Sequence, residues 1–141
     1  MKILLVGGSG FLGAWVARFL HINQCLARIF DPNKPDSEWH RLSGIRADAT
    51  EWVAGDVSKK SELDDAIRDC EGVINLAGLL TPECSQNPVR GAEVNLIGAI
   101  NVFEGALKHG LKKVAYTSSI GVYGPDHAEF PEPTTHYGSF K

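Results

Sequence analysis

The first residues whose types and spacing could do chemistry are glycines followed at a distance by one acid. Gly7-Gly8-Ser9-Gly10-Phe11-Leu12-Gly13 sets glycines at 7, 10 and 13, with Gly8 as an extra. The spacing departs from G-x-G-x-x-G, but the physics is the same. Glycines permit a tight turn, let backbone N–H groups approach a pyrophosphate, and let a helix pack closely on a strand. Gly7, Gly10, Phe11, Leu12 and Gly13 are therefore candidates for holding a dinucleotide. Asp31 follows 18 residues after Gly13. A carboxylate at a strand end can accept both ribose hydroxyls and repels a 2′-phosphate. Pro32, Asn33 and Lys34 come next, with no arginine directly following. The pattern favours NAD over NADP, with Lys34 as a group that could still approach a phosphate. The plainer alternative for Asp31 is a turn or helix-capping acid.

Such a site needs elements to position it, and the chain alternates strand and helix patterns. Lys2–Val6 is a short apolar run ending in glycines, which reads as a buried parallel strand. Phe11 to Ile22 has helical spacing, with Leu12, Val16, Phe19 and Leu20 as its apolar positions. Leu26–Phe30 reads as a second strand and Trp52–Ala54 as a third. The polar connection between them, 32–51, allows a short helix around Ser37–Leu42. Ser58 is a plausible N-cap for a helix running to Asp69. Gly72–Leu76 reads as a fourth strand, Pro88 to His109 as a long helix stopped by Gly110, and Lys113–Thr117 as a fifth strand. This alternation implies right-handed βαβ units in a doubly wound α/β Rossmann sheet of about five parallel strands. The strands must present the glycine loop and Asp31 at their carboxyl ends.

Five further patterns stand in order along the chain: Gly55-Asp56-Val57, Asn75-Leu76-Ala77-Gly78, Val94-Asn95-x-x-Gly98, Ser118-Ser119-x-x-Val122-Tyr123-Gly124 and Tyr137-x-x-x-Lys141. Each is common alone. Together with the glycine loop they resemble the extended short-chain dehydrogenase/reductases, the group of NAD-dependent nucleotide-sugar epimerases and dehydratases. The resemblance covers the whole chain. It implies that Asp56 and Val57 bind adenine, that Leu76, Ala77 and Gly78 run beneath the nicotinamide-side ribose, and that Asn95 helps anchor the cofactor from its helix. It implies Tyr137 as catalytic acid/base, Lys141 as its partner, and Ser119 as the serine that orients the substrate oxygen. Tyr137 and Lys141 would also touch the cofactor.

The chemistry behind that trio is general. A free tyrosine has a pKa of about 10, too high for an efficient base near neutrality. A lysine at i+4 lies on the same helix face and stabilises the phenolate. Two residues depart from the family pattern: Asn75 stands where many members carry His, and Ala99 where they carry Thr. The gap from Ser119 to Tyr137 is 18 residues, which implies a small loop over the substrate.

Residues 1–141 are thus expected to form one NAD-binding Rossmann domain ending within the Tyr137–Lys141 motif. Members of the family run to about twice this length. The expected function is the NAD-binding part of an epimerase or dehydratase that moves hydride between a substrate carbinol and NAD, the substrate being a small molecule of the sugar-nucleotide class. The alternative is a non-catalytic NAD-binding module or an inactive fragment. Whether the chain alone is an enzyme stays open at this point. The resemblance implies a homodimer for a full-length parent, built on the catalytic helix. With only about six residues of that helix, an apolar patch over the fourth and fifth strands is expected to be exposed and to promote association.

Composition narrows the partners. Among 141 residues there are 14 basic and 17 acidic side chains, for a formal charge of −3. Nucleic acid is not the expected partner, because phosphate neutralisation needs a basic face. The cluster Lys108, His109, Lys112 and Lys113 falls where a helix ends, and cations there complement the helix dipole. Cys25, Cys70 and Cys84 have no paired spacing, which favours a reducing compartment, with neither disulfides nor zinc. The apolar start is too short for a secretion signal, and no stretch is long enough to span a membrane. The expected location is cytoplasmic.

Overall fold

The computed structural model describes residues 1–124 and 130–141, so residues 125–129 of the loop between Ser119 and Tyr137 lie outside the described residues. Five strands form one parallel sheet: β1 (Lys2–Val6), β2 (Leu26–Phe30), β3 (Glu51–Val53), β4 (Gly72–Asn75) and β5 (Lys113–Tyr116), in the order β3-β2-β1-β4-β5. Every neighbouring pair is parallel, with Leu5 opposite Ile29 on one side and Ile74 on the other. The five expected strands are all present, each within one residue of its expected bounds. The helices are α1 (Phe11–Ile22), α2 (Ser37–Ser43), α3 (Lys60–Ile67), α4 (Thr81–Gln86), α5 (Pro88–Ala92), α6 (Gly98–Lys108) and α7 (His136–Ser139).

The central strand alternates its side chains between two cores. Leu4 and Val6 pack with Leu63, Ile67 and Val102, on the face covered by α3 and α6. Ile3 and Leu5 pack with Ala14, Ala17, Leu20 and Trp39, on the face covered by α1 and α2. This is the period-2 signature of a strand buried on both faces.

Four details differ from the sequence reading. In α1 the buried residues are Gly13, Ala14, Ala17 and Leu20, while Leu12 and Phe19 are exposed. Small residues let the helix sit close on the sheet, so hydrophobic spacing marked the buried side only in part: Leu20 is buried and Val16 packs against the core, while Leu12 and Phe19 project outward. Ser58 does not cap α3: the N-cap is Lys59, and Ser58 instead donates its amide and hydroxyl to Asp56 Oδ1. The helix from Pro88 contains a wider π-type turn over Glu93–Ile97 before α6. The short helix α4 was not anticipated, because its sequence, TPECSQ, lacks an apolar period.

The exposed apolar surface also sits differently. β4 is largely buried, whereas Val114 on β5 is exposed together with Ile100, Phe103 and Leu107 of α6. A second exposed row, Phe11, Trp15, Phe19 and Ile22, runs along α1. Among the described residues, no helix is long and apolar enough to cross a membrane.

Candidate functional site

The sheet brings its carboxyl-end loops into one row. In strand order these are Asp56 and Val57 after β3, Asp31 after β2, the glycine loop after β1, Leu76–Gly78 after β4, and Ser118-Ser119 after β5. A cavity of about 490 Å³ lies along this row. Its walls include Gly7, Gly10, Phe11, Leu12, Gly13, Asp31, Asp56, Val57, Leu76, Ala77 and Gly78. Eleven of the fourteen cofactor candidates thus line a single cleft.

The glycine loop is shaped by close backbone approach. Gly7 has φ +72°, and a Cβ there would lie 2.6 Å from Ala77 Cα. Such a conformation and contact leave only glycine. A Cβ on Gly13 would collide with the Gly8 carbonyl oxygen and stand 2.7 Å from Gly8 Cα. Gly10 is different, since a Cβ there would meet nothing within 4 Å. It is the N-cap of α1, no side chain caps that end, and the first turn holds no acid. The first-turn N–H groups are therefore without side-chain acceptors, at the positive end of the helix dipole and beside the cavity. That is the arrangement an anionic pyrophosphate requires.

Asp31 is buried, and two backbone amides donate to it: Ser9 N to Oδ2 at 3.1 Å and Asn33 N to Oδ1 at 2.9 Å. Each oxygen keeps a further acceptor position for a diol. Ser9 Oγ also donates to Asn33 O at 2.6 Å, so the acid and the glycine loop are stapled together. Lys34 Nζ lies 6.0 Å from the Trp52 ring centroid.

Asp56 is held more elaborately. Ser58 donates twice to Oδ1, and Arg90 Nη2 donates to Oδ2 at 2.5 Å. Burial pushes the Asp56 carboxyl up, but the Ser58 donors and the Arg90 guanidinium outweigh it and hold it below the usual carboxylate range. Asn101 of α6, buried, donates to Val57 O at 3.0 Å. Gly98 packs so closely that a Cβ would lie 2.7 Å from Val57 Cγ1.

On the other side of the glycine loop, Asn75 is buried and its Oδ1 accepts from Ala77 N at 3.1 Å, which shapes the turn. Asn95, on the π-type turn, spends both ends of its amide on Leu79, accepting from its N at 2.8 Å and donating to its O at 2.9 Å. It braces the loop after Gly78 and does not line the cavity. Cys84 is buried beside it, with Sγ 3.3 Å from Leu79 O. Burial pushes that thiol up, and Glu83 adds to it.

Ser119, Tyr137 and Lys141 also stand outside the cavity walls. Ser119 Oγ accepts from Gly121 N at 3.2 Å, and among the described residues its hydroxyl donates to none. A Cβ on Gly121 would lie 3.5 Å from Ser119 Oγ and 3.7 Å from Tyr137 Cδ1, so serine and phenol flank the same glycine. A Cβ on Gly78 would lie 3.5 Å from both Asn95 Oδ1 and Lys141 Nζ. Lys141 Nζ lies 4.9 Å from the Tyr116 ring centroid. Burial pulls its pKa down, partly offset by the Cys84 thiol. The helix α7 starts at its Thr135 cap, whose side chain accepts from Gly138 N, and the amides of Phe140 and Lys141 continue its turn by donating to His136 O and Gly138 O. Among the described residues, no hydrogen bond joins the Tyr137 hydroxyl to Lys141 or Ser119.

Sequence reasoning missed Arg90, Asn101 and Trp39. The indole Nε1 of Trp39, buried on α2, donates to Gly8 O at 2.8 Å and fixes the glycine loop from behind. Of these, only Asn101 had a local signal: a polar residue on the inward face of an apolar helix.

Comparison with known proteins agrees with this geometry. The NAD dependent epimerase/dehydratase family matches residues 3–141. A bifunctional UDP-glucose 4-epimerase and UDP-xylose 4-epimerase from Pisum sativum is 33% identical over 87% of this chain and 38% of its own length. The human 3 beta-hydroxysteroid dehydrogenase type 7 is 33% identical over 91% of this chain and 35% of its own. Among solved structures, the UDP-glucose 4-epimerase of Thermotoga maritima, determined with UDP-glucose, superposes with a TM-score of 0.86 at 25% identity, covering 100% of this chain and 48% of that one. The Thermus thermophilus UDP-glucose 4-epimerase, determined in complex with NAD, gives 0.84 at 25% identity and covers 47% of that chain. The chain therefore spans between a third and a half of these relatives. With its parallel five-stranded sheet and its loops in this order, the chain belongs to the NAD-dependent epimerase/dehydratase family.

Proposed function

We propose that residues 1–141 are the NAD-binding domain of an enzyme that moves hydride between a carbinol of a sugar nucleotide and NAD, as an epimerase, dehydratase or dehydrogenase. The observation that carries this is the row of carboxyl-end loops. Five adjacent strands at about 4.8 Å spacing give a row of roughly 19 Å. Along it come Asp56, Asp31, the uncapped start of α1, the Leu76–Gly78 loop and Ser119, in the order adenine, ribose, pyrophosphate, nicotinamide ribose and substrate.

Bound NAD supplies the hydride acceptor. The proton is left to the chain. Tyr137 would take it from the substrate hydroxyl, and Ser119, on the other side of Gly121 from the Tyr137 ring, would orient the substrate oxygen. Lys141, half-buried near Gly78, would favour the phenolate electrostatically. The relatives from Pisum sativum and Thermotoga maritima are named as UDP-sugar 4-epimerases, and the human one as a hydroxysteroid dehydrogenase. A cytoplasmic location, and a homodimer for the whole enzyme, belong to the same proposal.

The test is reduction of NAD by UDP-glucose or a related sugar nucleotide, followed as nicotinamide fluorescence, in the unmodified chain and in Tyr137→Phe. Fluorescence growth that Tyr137→Phe abolishes supports the proposal. An unaffected variant overturns the role of Tyr137. One observation favours a second reading, a binding module without turnover: among the described residues, Tyr137 makes no hydrogen bond to Lys141 or Ser119. Tight NAD binding with no reduction by any sugar nucleotide would select it.

A further inference from the structure

Arg90 has no part in the cofactor reading so far, yet it lines the same cavity as the glycine loop. It reaches from α5 to the loop after β3. Nη2 donates to Asp56 Oδ2 at 2.5 Å, and Nη1 donates to Ser58 Oγ at 3.1 Å and to Glu93 Oε2 at 3.2 Å. The ion pair is partly exposed, with about a third of the Arg90 side chain accessible.

These bonds leave Asp56 with little freedom. A carboxylate offers about four acceptor positions. Two on Oδ1 are taken by Ser58, and one on Oδ2 by Arg90. The acceptor position that remains is on Oδ2, held in one orientation beside the cavity by a guanidinium that cannot lose its proton. An exocyclic amine can donate to it. A carbonyl oxygen at the same place meets an anion's lone pair.

We infer that Arg90 is a specificity-determining residue for the base of the dinucleotide: by pinning Asp56 it reserves one fixed acceptor for the amino group of adenine and so rejects a 6-oxopurine. This rests on the proposal that the cleft binds NAD with its base beside Asp56. Arg90 acts through Asp56 and is a positioning residue.

The test compares binding of NAD with binding of its hypoxanthine analogue, in which oxygen replaces the 6-amino group, by calorimetric titration of the unmodified chain and of Arg90→Met. Methionine keeps much of the apolar stem and loses every donor. The unmodified chain should prefer NAD by about tenfold or more, the worth of one charge-assisted hydrogen bond. In Arg90→Met the preference should shrink to within about threefold, with most of the loss falling on NAD. Equal weakening of both ligands, or an unchanged preference, overturns the inference, since a merely structural or stacking arginine would act on both alike. If Arg90→Met does not melt cooperatively, Arg90→Lys takes its place, which keeps the charge and loses the fork that joins Asp56 to Ser58; the preference for NAD should again shrink, and a fully retained preference overturns the inference. If the folded, unmodified chain binds neither dinucleotide, the NAD proposal itself falls and takes this one with it.

Discussion

Gly10 and Gly13 stand three residues apart in one loop, yet the same substitution should have opposite consequences at the two. At Gly13 a new Cβ would lie 2.5 Å from the Gly8 carbonyl carbon and 2.7 Å from its Cα, against 3.4–4 Å for ordinary contact. The obstacle is backbone, so α1 and the loop must part by about 1 Å, and overpacking of this kind costs about 1–3 kcal/mol. The Gly8 carbonyl is also the acceptor for the Trp39 indole at 2.8 Å. Displacing it strains or breaks a buried hydrogen bond, for about 1–3 kcal/mol more. Gly13→Ala should therefore lose about 2–6 kcal/mol, a large share of the 5–15 kcal/mol typical of a domain. At Gly10 the Cβ meets nothing, and the backbone is extended at φ −81°, ψ 178°, which any residue adopts. The cost of alanine at this N-cap is about 1 kcal/mol or less. Its methyl would, however, stand at the cavity wall where phosphate must approach the helix start. Gly10→Ala should melt nearly as the unmodified chain does and bind NAD at least about tenfold more weakly. Thermal unfolding followed by circular dichroism, paired with NAD titration, separates the two effects. A Gly13→Ala chain of unchanged stability, or a Gly10→Ala chain with unchanged affinity, would refute the reading of the loop.

Three other outcomes follow. Asp31→Ser removes the charge that repels a 2′-phosphate, so the ratio of NAD to NADP affinity should fall about tenfold or more in parallel titrations; an unchanged ratio would place the discrimination elsewhere. Glu51, Asp56 and Asp64 all sit below their usual range in the fold: burial raises Glu51 and Asp56, but their hydrogen-bonded partners outweigh it, while the Lys108 ammonium is the main cause for Asp64. Carboxylates with lowered folded pKa values give stability that is complete above their unfolded values, near 4, and is lost as pH falls through the folded ones. Melting temperature should thus be little affected by these groups from pH 7 to about 5 and should fall below about 4; a decline beginning near pH 6 would point to the histidines instead. The exposed rows on α6 and α1 should make the chain associate, seen as concentration-dependent elution in size-exclusion chromatography, and a dilution-stable monomer would count against this.

Much of the fold was legible because strands buried on both faces, and turns made of glycine, leave strong local signals. Lys2–Val6 and Gly72–Asn75 are runs whose apolar character has one explanation, and Gly7 is a residue for which geometry permits one choice. Asp31 was legible because its distance from the glycine loop is fixed by one helix and one strand. The face of α1 was not, because hydrophobicity alone ranks Phe19 above Ala17, while close packing on a sheet selects the smaller side chain. Arg90 was invisible for another reason. Its partner Asp56 is 34 residues away, and only the crossover through α3 and β4 brings them to 2.5 Å. Trp39 likewise read as part of a polar connection, since its partner is a backbone carbonyl 31 residues earlier. The roles of Tyr137, Lys141 and Ser119 came from a motif, which gives residue types at a spacing and not how their side chains meet.

The central claim is that the cleft along the carboxyl ends of the strands holds NAD. The most direct measurement is calorimetric titration of the folded 141-residue chain with NAD and, separately, with NADP. The account predicts saturable one-to-one binding of NAD, with NADP binding at least about tenfold more weakly because of Asp31. A cooperatively folded chain that binds neither dinucleotide, or binds NADP as well as NAD, would contradict it.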